Sequence, residues 1–325
     1  MSCSSVVLGD ETSVKWGTMK MTIIQSLIVY MFIMAWCPGS FAQASSKEQV
    51  IEVPFDFYRN EIILAVRVNG KGSLLMMLDT GTDPSAVDLN TAKEIGLKLD
   101  PIGRQAEGGG TGVNLAYETK LPLLEVSNLT AKNVEAVAMD LSQVSGRLGK
   151  PINGILGHSF LKGRVVQIDY QRQRIRFYSK SQHSETVNQP NNLKRTVLPF
   201  RYEDSILIDD VTVNGKKVIG DLDTGSDGTF KLTPAAVSYL GLEEEVIKAQ
   251  ASESLGYNGI AGNKEGRVGN VTIGTISLDK PAVIFFGKGT GRDKKVWGIN
   301  IGNAFLKDFI VTIDYRNKTL TLERQ

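Results

Sequence analysis

The sequence predicts a mostly β protein made of two β-barrel lobes that are related by an internal duplication. Three observations predict this architecture. Apolar and other residues alternate over residues 62–68 with the two-residue period of a half-buried strand. Short motifs of the first half recur in the second half. The offset is 144 residues between Asp79 and Asp223 and 145 between Asp169 and Asp314, and such a constant offset indicates a duplicated domain.

The recurring motifs keep the same order in both halves. They are Pro54-Phe55 and Pro199-Phe200, Asn69-Gly70-Lys71 and Asn214-Gly215-Lys216, Leu78-Asp79-Thr80-Gly81-Thr82-Asp83 and Leu222-Asp223-Thr224-Gly225-Ser226-Asp227, and Ile168-Asp169-Tyr170 and Ile313-Asp314-Tyr315. Asn-Gly is a hairpin turn signal, and the run that follows it reads as a buried strand that ends at an aspartate. Each half is therefore predicted to present one aspartate at a strand end.

A short helix is predicted after that aspartate in each half. Asp88 and Thr233 are suitable N-caps, and Pro234 suits the first helical position. Gly96 and Gly241 suit the position that follows a helix.

The N-terminal region reads as a targeting sequence. Residues 1–44 are predicted to be a signal peptide with an upstream extension, because Lys20 precedes an apolar run and small residues allow cleavage after Ala42 or Ala44. That run is too short for a membrane span. We expect an exported protein, periplasmic or secreted, whose mature form has no stable membrane span. An uncleaved signal that anchors the chain is the alternative.

The remaining chain divides into a first lobe, a linker and a second lobe. The first lobe is predicted over residues 45–180 and the second over residues 195–325. Residues 181–194 are rich in serine, glutamine and asparagine, which is typical of a linker.

Composition excludes several classes of function. The net charge is +2, which argues against a nucleic-acid-binding surface because such surfaces need a marked basic excess. Cys3 and Cys37 both lie near the N-terminus, so the lobes have no cysteine for a disulfide framework or a metal site. A Ser-His-Asp triad could use only His158 or His183.

The two Asp-Thr-Gly motifs carry the chemistry. A carboxylate at the tip of a buried strand is costly without a partner. Two such carboxylates brought together by a twofold relation can share one proton, because like charges a few Å apart do not both ionise easily. Such a pair, here Asp79 and Asp223, can activate a water molecule and protonate a carbonyl oxygen.

The other residues of the motifs support this pair. Gly81 and Gly225 permit a tight turn after the strand. The hydroxyls that can orient the carboxylates or bond the opposite loop are those of Thr80, Thr82, Thr224 and Ser226.

With these motifs, residues 50–325 resemble the retropepsin and pepsin clan of aspartic peptidases in its bacterial-type, two-copy form. A second family element, two apolar residues before a glycine, is present as Ile155-Leu156-Gly157. Its counterpart, Asn300-Ile301-Gly302, departs from the pattern because asparagine replaces the first apolar residue. The resemblance implies acid-protease-type lobes, catalysis by the aspartate pair and no metal or organic cofactor.

The resemblance also implies glycine-rich flaps over the cleft. Gly108 to Gly112 is the first candidate, with Gly109 and Gly110 at its centre, although it lacks the tyrosine of the pepsin branch. Gly256-Tyr257-Asn258-Gly259 is a looser candidate in the second half.

A further feature of the retropepsins is missing from the motif. They carry an arginine after the glycine of the apolar element, where this chain has His158 and Asn303. An arginine pairing with Asp83 or Asp227 therefore does not follow from the resemblance.

The sequence thus predicts an aspartic-type endopeptidase that acts on peptide or protein substrates, binds no nucleic acid and is a monomer with an intrachain pseudo-dimer. One alternative is a non-catalytic peptide-binding protein of the cell envelope on the same fold. Another is that each half pairs with the same half of a second chain.

Overall fold

The computed structural model describes residues 50–106, 108–178, 194–288, 295–296 and 298–324. These residues belong to one compact unit that spans Glu48–Gln325. The predicted signal peptide and the predicted linker, apart from Lys194, lie outside the described residues.

The first half consists of short strands with three short helices among them. The strands are β1 (Ile51–Pro54), β2 (Asp56–Tyr58), β3 (Glu61–Val68), β4 (Lys71–Leu78), β5 (Ser85–Asp88), β6 (Arg104–Gln105), β7 (Leu115–Val126), β8 (Leu129–Met139), β9 (Gly154–Leu156), β10 (Val165–Asp169) and β11 (Arg174–Tyr178). The helices are α1 (Leu89–Glu94), α2 (Ser142–Leu148) and α3 (His158–Leu161).

The second half follows a similar order. Its strands are β12 (Arg195–Pro199), β13 (Arg201–Tyr202), β14 (Ile206–Val213), β15 (Lys216–Leu222), β16 (Phe230–Leu232), β17 (Gln250–Gly256), β18 (Gly259–Arg267), β19 (Asn270–Ile273), β20 (Ile276–Asp279), β21 (Ala282–Phe286), β22 (Ile299–Ile301), β23 (Phe309–Asp314) and β24 (Thr319–Arg324). Its helices are α4 (Pro234–Leu240), α5 (Glu243–Lys248) and α6 (Asn303–Leu306).

Two curled sheets form the lobes, which confirms the predicted fold class. In the first lobe the strand order is β2-β3-β4-β9-β5-β8-β7-β6, and an additional pairing of β3 with β7 curls the sheet back on itself. In the second lobe the order is β17-β18-β21-β16-β22-β15-β14-β19-β20, with β13 also paired to β14. Both orders place the aspartate-bearing strand beside the short strand of the apolar-Gly element, β4 beside β9 and β15 beside β22.

A six-stranded sheet joins the two lobes. Its order is β1-β11-β10-β23-β24-β12, so each half provides three strands. The lobes meet where β10 pairs with β23 in antiparallel fashion. At the middle of this pairing Gln167 lies opposite Thr312, and its Nε2 donates a hydrogen bond of 3.1 Å to the threonine Oγ1.

The predicted strand alternation is present in β3. Ile62, Leu64, Val66 and Val68 are buried in the main hydrophobic core, whereas Arg67 is exposed. The main core extends through both halves of the chain. The alternation therefore assigns one face of this strand to the core.

The buried members of a second apolar cluster all come from the first lobe. Helix α2 contributes Val144 and Leu148, which belong to one cluster with Met77 and Ile155 of strands β4 and β9. The face of the sheet beside the first aspartate is therefore apolar.

The two predicted helices begin and end as expected. Asp88 caps α1 by accepting hydrogen bonds from the backbone of Asn90 and Thr91, and Thr233 caps α4, which begins at Pro234. Gly96 and Gly241 follow these helices with positive φ angles of 73° and 74°. Within the described residues, no helix is long and apolar enough to cross a membrane.

Candidate active site

The two aspartates stand at the ends of equivalent strands. Asp79 follows β4 and Asp223 follows β15. Their backbone N–H groups donate to Leu156 O at 3.1 Å and to Ile301 O at 3.0 Å, the last residues of β9 and β22. The apolar-Gly strands therefore fix the position at which each aspartate leaves its sheet.

The loops that carry the aspartates are locked together by two buried threonines. Thr80 Oγ1 donates to Leu222 O at 2.8 Å and accepts from the backbone N–H of Thr224 at 3.0 Å. Thr224 Oγ1 reciprocates, since it donates to Leu78 O at 3.0 Å and accepts from the N–H of Thr80 at 3.0 Å. This crossed arrangement holds the two strand ends against each other.

The carboxyl groups of the aspartates lie close together. A Cβ built on Gly81 would be 3.0 Å from Asp223 Oδ1 and 3.3 Å from Asp79 Oδ1, so these two oxygens are at most 6.3 Å apart, the sum of the two distances. A Cβ on Gly225 would be 2.3 Å from the Asp79 carboxyl carbon, so only glycine fits there. Each glycine also donates its N–H to the aspartate of its own loop, at 2.7 and 2.9 Å.

Burial and the neighbouring charge perturb Asp79. Its side chain is almost fully buried. Burial, followed by the negative charge of Asp223, raises the pKa of Asp79 to about 7, although hydrogen bonds from Thr82, Tyr257 and Gly81 act in the opposite direction. The physical consequence is a carboxyl pair that retains a proton in a pH range where an ordinary aspartate has lost it.

The two carboxyl groups differ in what touches their Oδ2 atoms. Thr82 Oγ1 donates to Asp79 Oδ2 at 2.6 Å. The equivalent hydroxyl of Ser226 is buried and finds no hydrogen-bond partner among the described residues. Asn300 takes its place, because its Nδ2 donates to Asp223 Oδ2 at 2.7 Å. The sequence marked Asn300 only as a departure from an apolar pattern and did not predict this contact.

The two predicted flap loops meet over the site. The N–H of Gly112 donates to Asn258 O at 2.6 Å, and the N–H of Asn258 donates to Gly109 O at 2.9 Å. The tips pack so closely that a Cβ on Gly110 would lie 2.4 Å from the Asn258 carbonyl carbon, and a Cβ on Gly256 would lie 2.1 Å from Gly109 O. Glycine at both tips is therefore a packing requirement.

The second loop, the looser of the two candidates in the sequence, provides the tyrosine. The Tyr257 hydroxyl donates to Asp79 Oδ2 and lies 3.0 Å from Thr82 Oγ1. The hairpin of β17 and β18 pairs seven residues of each strand, whereas β6 pairs only two residues with β7. The longer hairpin carries its tip across to the aspartate of the other lobe.

The flanks of the site differ between the lobes. Asp227 receives hydrogen bonds from Arg147 Nη1 at 2.6 Å and from Lys231 Nζ at 3.1 Å. The arginine partner that the motif lacks is thus supplied by α2 of the other lobe. Arg147 Nη2 also contacts the fully buried Glu61 at 2.5 Å, and burial raises the pKa of Glu61 to about 9. On the opposite flank Asp83 accepts a hydrogen bond from the Tyr202 hydroxyl at 3.1 Å.

Comparison with known proteins gives one family match. Residues 64–160 match the family model described as aspartyl protease. This segment runs from β3 into α3 and includes Asp79 and the apolar-Gly element at residues 155–157. No curated protein matches the chain. The match covers less than half of the chain, and it shows that this segment of the first lobe is similar to the aspartyl protease family.

Proposed function

We propose that the protein is an aspartic-type endopeptidase in which Asp79 and Asp223 of one chain form the catalytic pair. The observation that carries this proposal is the meeting of their carboxyl groups between the lobes, with Oδ1 atoms at most 6.3 Å apart and a raised pKa for Asp79. Pairs of carboxyl groups with perturbed pKa values are typical of acid–base catalysis.

The proposed reaction needs one proton on the pair. The ionised aspartate removes a proton from a water molecule, whose oxygen attacks the peptide carbonyl carbon, while the protonated aspartate donates its proton to the carbonyl oxygen. When the tetrahedral diol collapses, a proton passes to the leaving nitrogen, the C–N bond breaks and the pair again holds one proton. The supporting residues are Thr80, Gly81, Thr82, Thr224 and Gly225, together with Ser226, which contributes through its backbone N–H to Asp223 O at 3.2 Å and not through its hydroxyl. No metal or organic cofactor is required by this scheme.

The substrate proposed for this site is a peptide or protein segment in an extended conformation. The flap loops around Gly109, Gly110 and Tyr257 present backbone groups that can pair with such a segment as a strand would. The flaps must open for it to enter, since their tips contact each other and Tyr257 lies on Asp79. We also propose an exported, monomeric enzyme, periplasmic or secreted.

Cleavage of an unfolded protein by the purified chain tests the proposal. Asp79→Asn and Asp223→Asn should each lower the rate by about 10²–10⁴-fold, the range expected for loss of a general acid or base. Asp279→Asn, which changes an exposed aspartate at the end of β20, is the matched control and should leave the rate unchanged.

Two other results would point to the alternatives. Binding of unfolded peptides without cleavage by the unsubstituted chain would favour the non-catalytic envelope protein. Activity that survives at about half its level in each single variant would favour pairing between equal halves of two chains, because each variant would then keep one intact pair.

A further inference from the structure

The buried side chain of Asn300 in the second lobe donates hydrogen bonds to two acidic side chains, those of Asp221 and Asp223. Its Nδ2 donates to Asp223 Oδ2 at 2.7 Å and to Asp221 Oδ2 at 3.0 Å. Asn300 and Asp221 are both buried, with exposures of 2% and 3%. The amide nitrogen must face the two carboxyl groups, because an amide oxygen in its place would repel them.

The first lobe has no such arrangement. Asp221 and Asn300 lie opposite each other in the parallel pairing of β15 with β22, and the residues opposite each other at the equivalent place in β4 and β9 are Met77 and Ile155. Met77 and Ile155 belong to the apolar cluster beneath α2. Two neighbouring apolar residues of one lobe are thus replaced by two hydrogen-bonded polar residues in the other, which makes the carboxyl pair asymmetric.

The kind of donor decides where a proton can reside. Both oxygens of Asp223 accept from N–H groups, of Gly225 and of Asn300, and an N–H cannot in turn accept a proton. Asp79 Oδ2 instead meets the hydroxyls of Thr82 and Tyr257, and a hydroxyl can rotate to accept a hydrogen bond from a protonated carboxyl group.

We propose that Asn300 is a positioning residue that keeps Asp223 the ionised member of the pair, so that Asp79 carries the shared proton. The inference rests on the proposed function and sharpens it. Asp223 is the base that removes a proton from water, and Asp79 is the acid that protonates the carbonyl oxygen.

The titratable groups named around Asp223 are acidic, so they do not themselves favour its ionised form, and the assignment rests on the N–H donors. These titratable groups are Asp79 from the first lobe, Asp221 two residues earlier on β15, and Tyr257 at the hairpin tip. Lys231 lies opposite Asn300 on β16, but its Nζ is bonded to Asp227. Within the part of the chain that the structure describes, Asn300 is the side-chain donor to Asp223.

The test removes the Asn300 amide and, in the same variant, replaces Asp221, which would otherwise lose its hydrogen-bond donor. The double variant Asp221→Met/Asn300→Ile copies the pair found in the first lobe, and the milder Asn300→Ser is made in parallel in case the double variant does not fold. The matched control is Thr82→Ala, which removes a donor from Asp79 instead.

Cleavage rates are measured across the pH range. Loss of the Asn300 amide should move the acidic limb of the kcat/KM profile up by about one pH unit, the shift expected when a carboxylate loses a hydrogen bond, and leave the alkaline limb in place. Thr82→Ala should move the alkaline limb and leave the acidic limb in place. The opposite assignment of limbs would overturn the inference, and a purely structural role for Asn300 would lower activity without moving either limb.

Direct titration separates this inference from the proposed function. In protein with ¹³C-labelled aspartate, the Cγ signals of residues 79 and 223 are assigned from Asp79→Asn and Asp223→Asn and followed by NMR against pH. Asp223 should ionise at a lower pH than Asp79. The difference between the two titration midpoints should be smaller in the Asn300 variants. If Asp79 ionises first, the inference is wrong. If the order holds but the unsubstituted chain cleaves nothing, the proposed function fails while the assignment of the proton stands.

Discussion

At the scale of single residues, the proton held by Asp79 is the property with the widest consequences. Its pKa is raised from 3.8 to about 7 by burial and by the charge of Asp223. We predict that the cleavage rate falls as the pH rises through about 7, because the pair then loses the proton that the carbonyl oxygen needs. A pH–rate profile checks this, and a rate that keeps rising well above pH 7 would contradict it.

The same shift predicts how stability changes with pH. The folded protein keeps the Asp79 proton where the unfolded chain has lost it, so the stabilisation is complete below pH 3.8 and is lost as the pH rises to about 7. Urea unfolding over this window should show this loss in the unsubstituted chain. Asp79→Asn, which cannot ionise, should show a smaller loss. If the free energy of unfolding changed with pH equally in both proteins, the pKa of Asp79 would not be raised by folding.

The Tyr257 hydroxyl gives a second prediction at this scale. It donates to Asp79 Oδ2, and such a bond favours the ionised carboxyl group. Tyr257→Phe should therefore move the alkaline limb of the cleavage profile to higher pH while the ring remains in place. Tyr239→Phe is the control, because Tyr239 lies on the surface with 61% of its area exposed. An unchanged limb in Tyr257→Phe would argue against the contact in solution.

The two aspartates could be predicted because their motif is local and occurs twice. The role of Asn300 could not, although the sequence marked it as unusual. Its meaning depends on Asp221, which lies opposite it on a strand 79 positions away in the chain. Alignment of the two halves does show the difference. The positions held by Met77 and Ile155 in the first half are held by Asp221 and Asn300 in the second.

At the scale of elements, the flap tips are the most constrained loops of the site. A Cβ on Gly256 would meet the Gly109 carbonyl oxygen at 2.1 Å, whereas a Cβ on Gly262, in the same hairpin, meets nothing within 4 Å. We predict that Gly256→Ala separates the tips and raises KM several-fold with little change in the melting temperature. Gly262→Ala should leave both unchanged. Equal effects of the two variants would show that the tip contact does not form in solution.

Element boundaries that depend on local chemistry were predictable. The caps of α1 and α4 and the turn at residues 69–70 follow from the residues present there. The reach of the second flap was not predictable, because the length of the β17–β18 hairpin depends on pairing across the fold rather than on its glycines.

At the scale of the whole molecule, a cluster of Arg147, Glu61 and Asp227 links one lobe to the other. Arg147 of α2 contacts the buried Glu61 of its own lobe and Asp227 of the second lobe. Arg147→Met should destabilise the protein by about 1–3 kcal/mol, because it leaves the buried Glu61 carboxyl group without its hydrogen-bond partner. Lys162→Met, which breaks an exposed pair with Glu135, should cost about 1 kcal/mol or less.

Urea unfolding of both variants provides the measurement. A loss in Arg147→Met no larger than in Lys162→Met would mean that the cluster contributes nothing to stability. The sequence did not predict this cluster, since its three members come from distant segments and no local pattern links them. The two lobes themselves were predictable, because strand alternation and the repeat extend over most of the chain.

The junction between the lobes has one more consequence. Gln167 lies opposite Thr312, its own equivalent 145 positions later, and Val165 and Asp169 lie opposite the equivalents of each other, Asp314 and Ile310. The register of β10 against β23 is therefore symmetric about the pair of Gln167 and Thr312. A polypeptide that ends after β11 would leave this edge of β10 exposed. We expect it to pair in antiparallel fashion with β10 of a second copy, with Gln167 opposite Gln167. The contact between the two halves of this chain thus has the register of a twofold-symmetric strand pair.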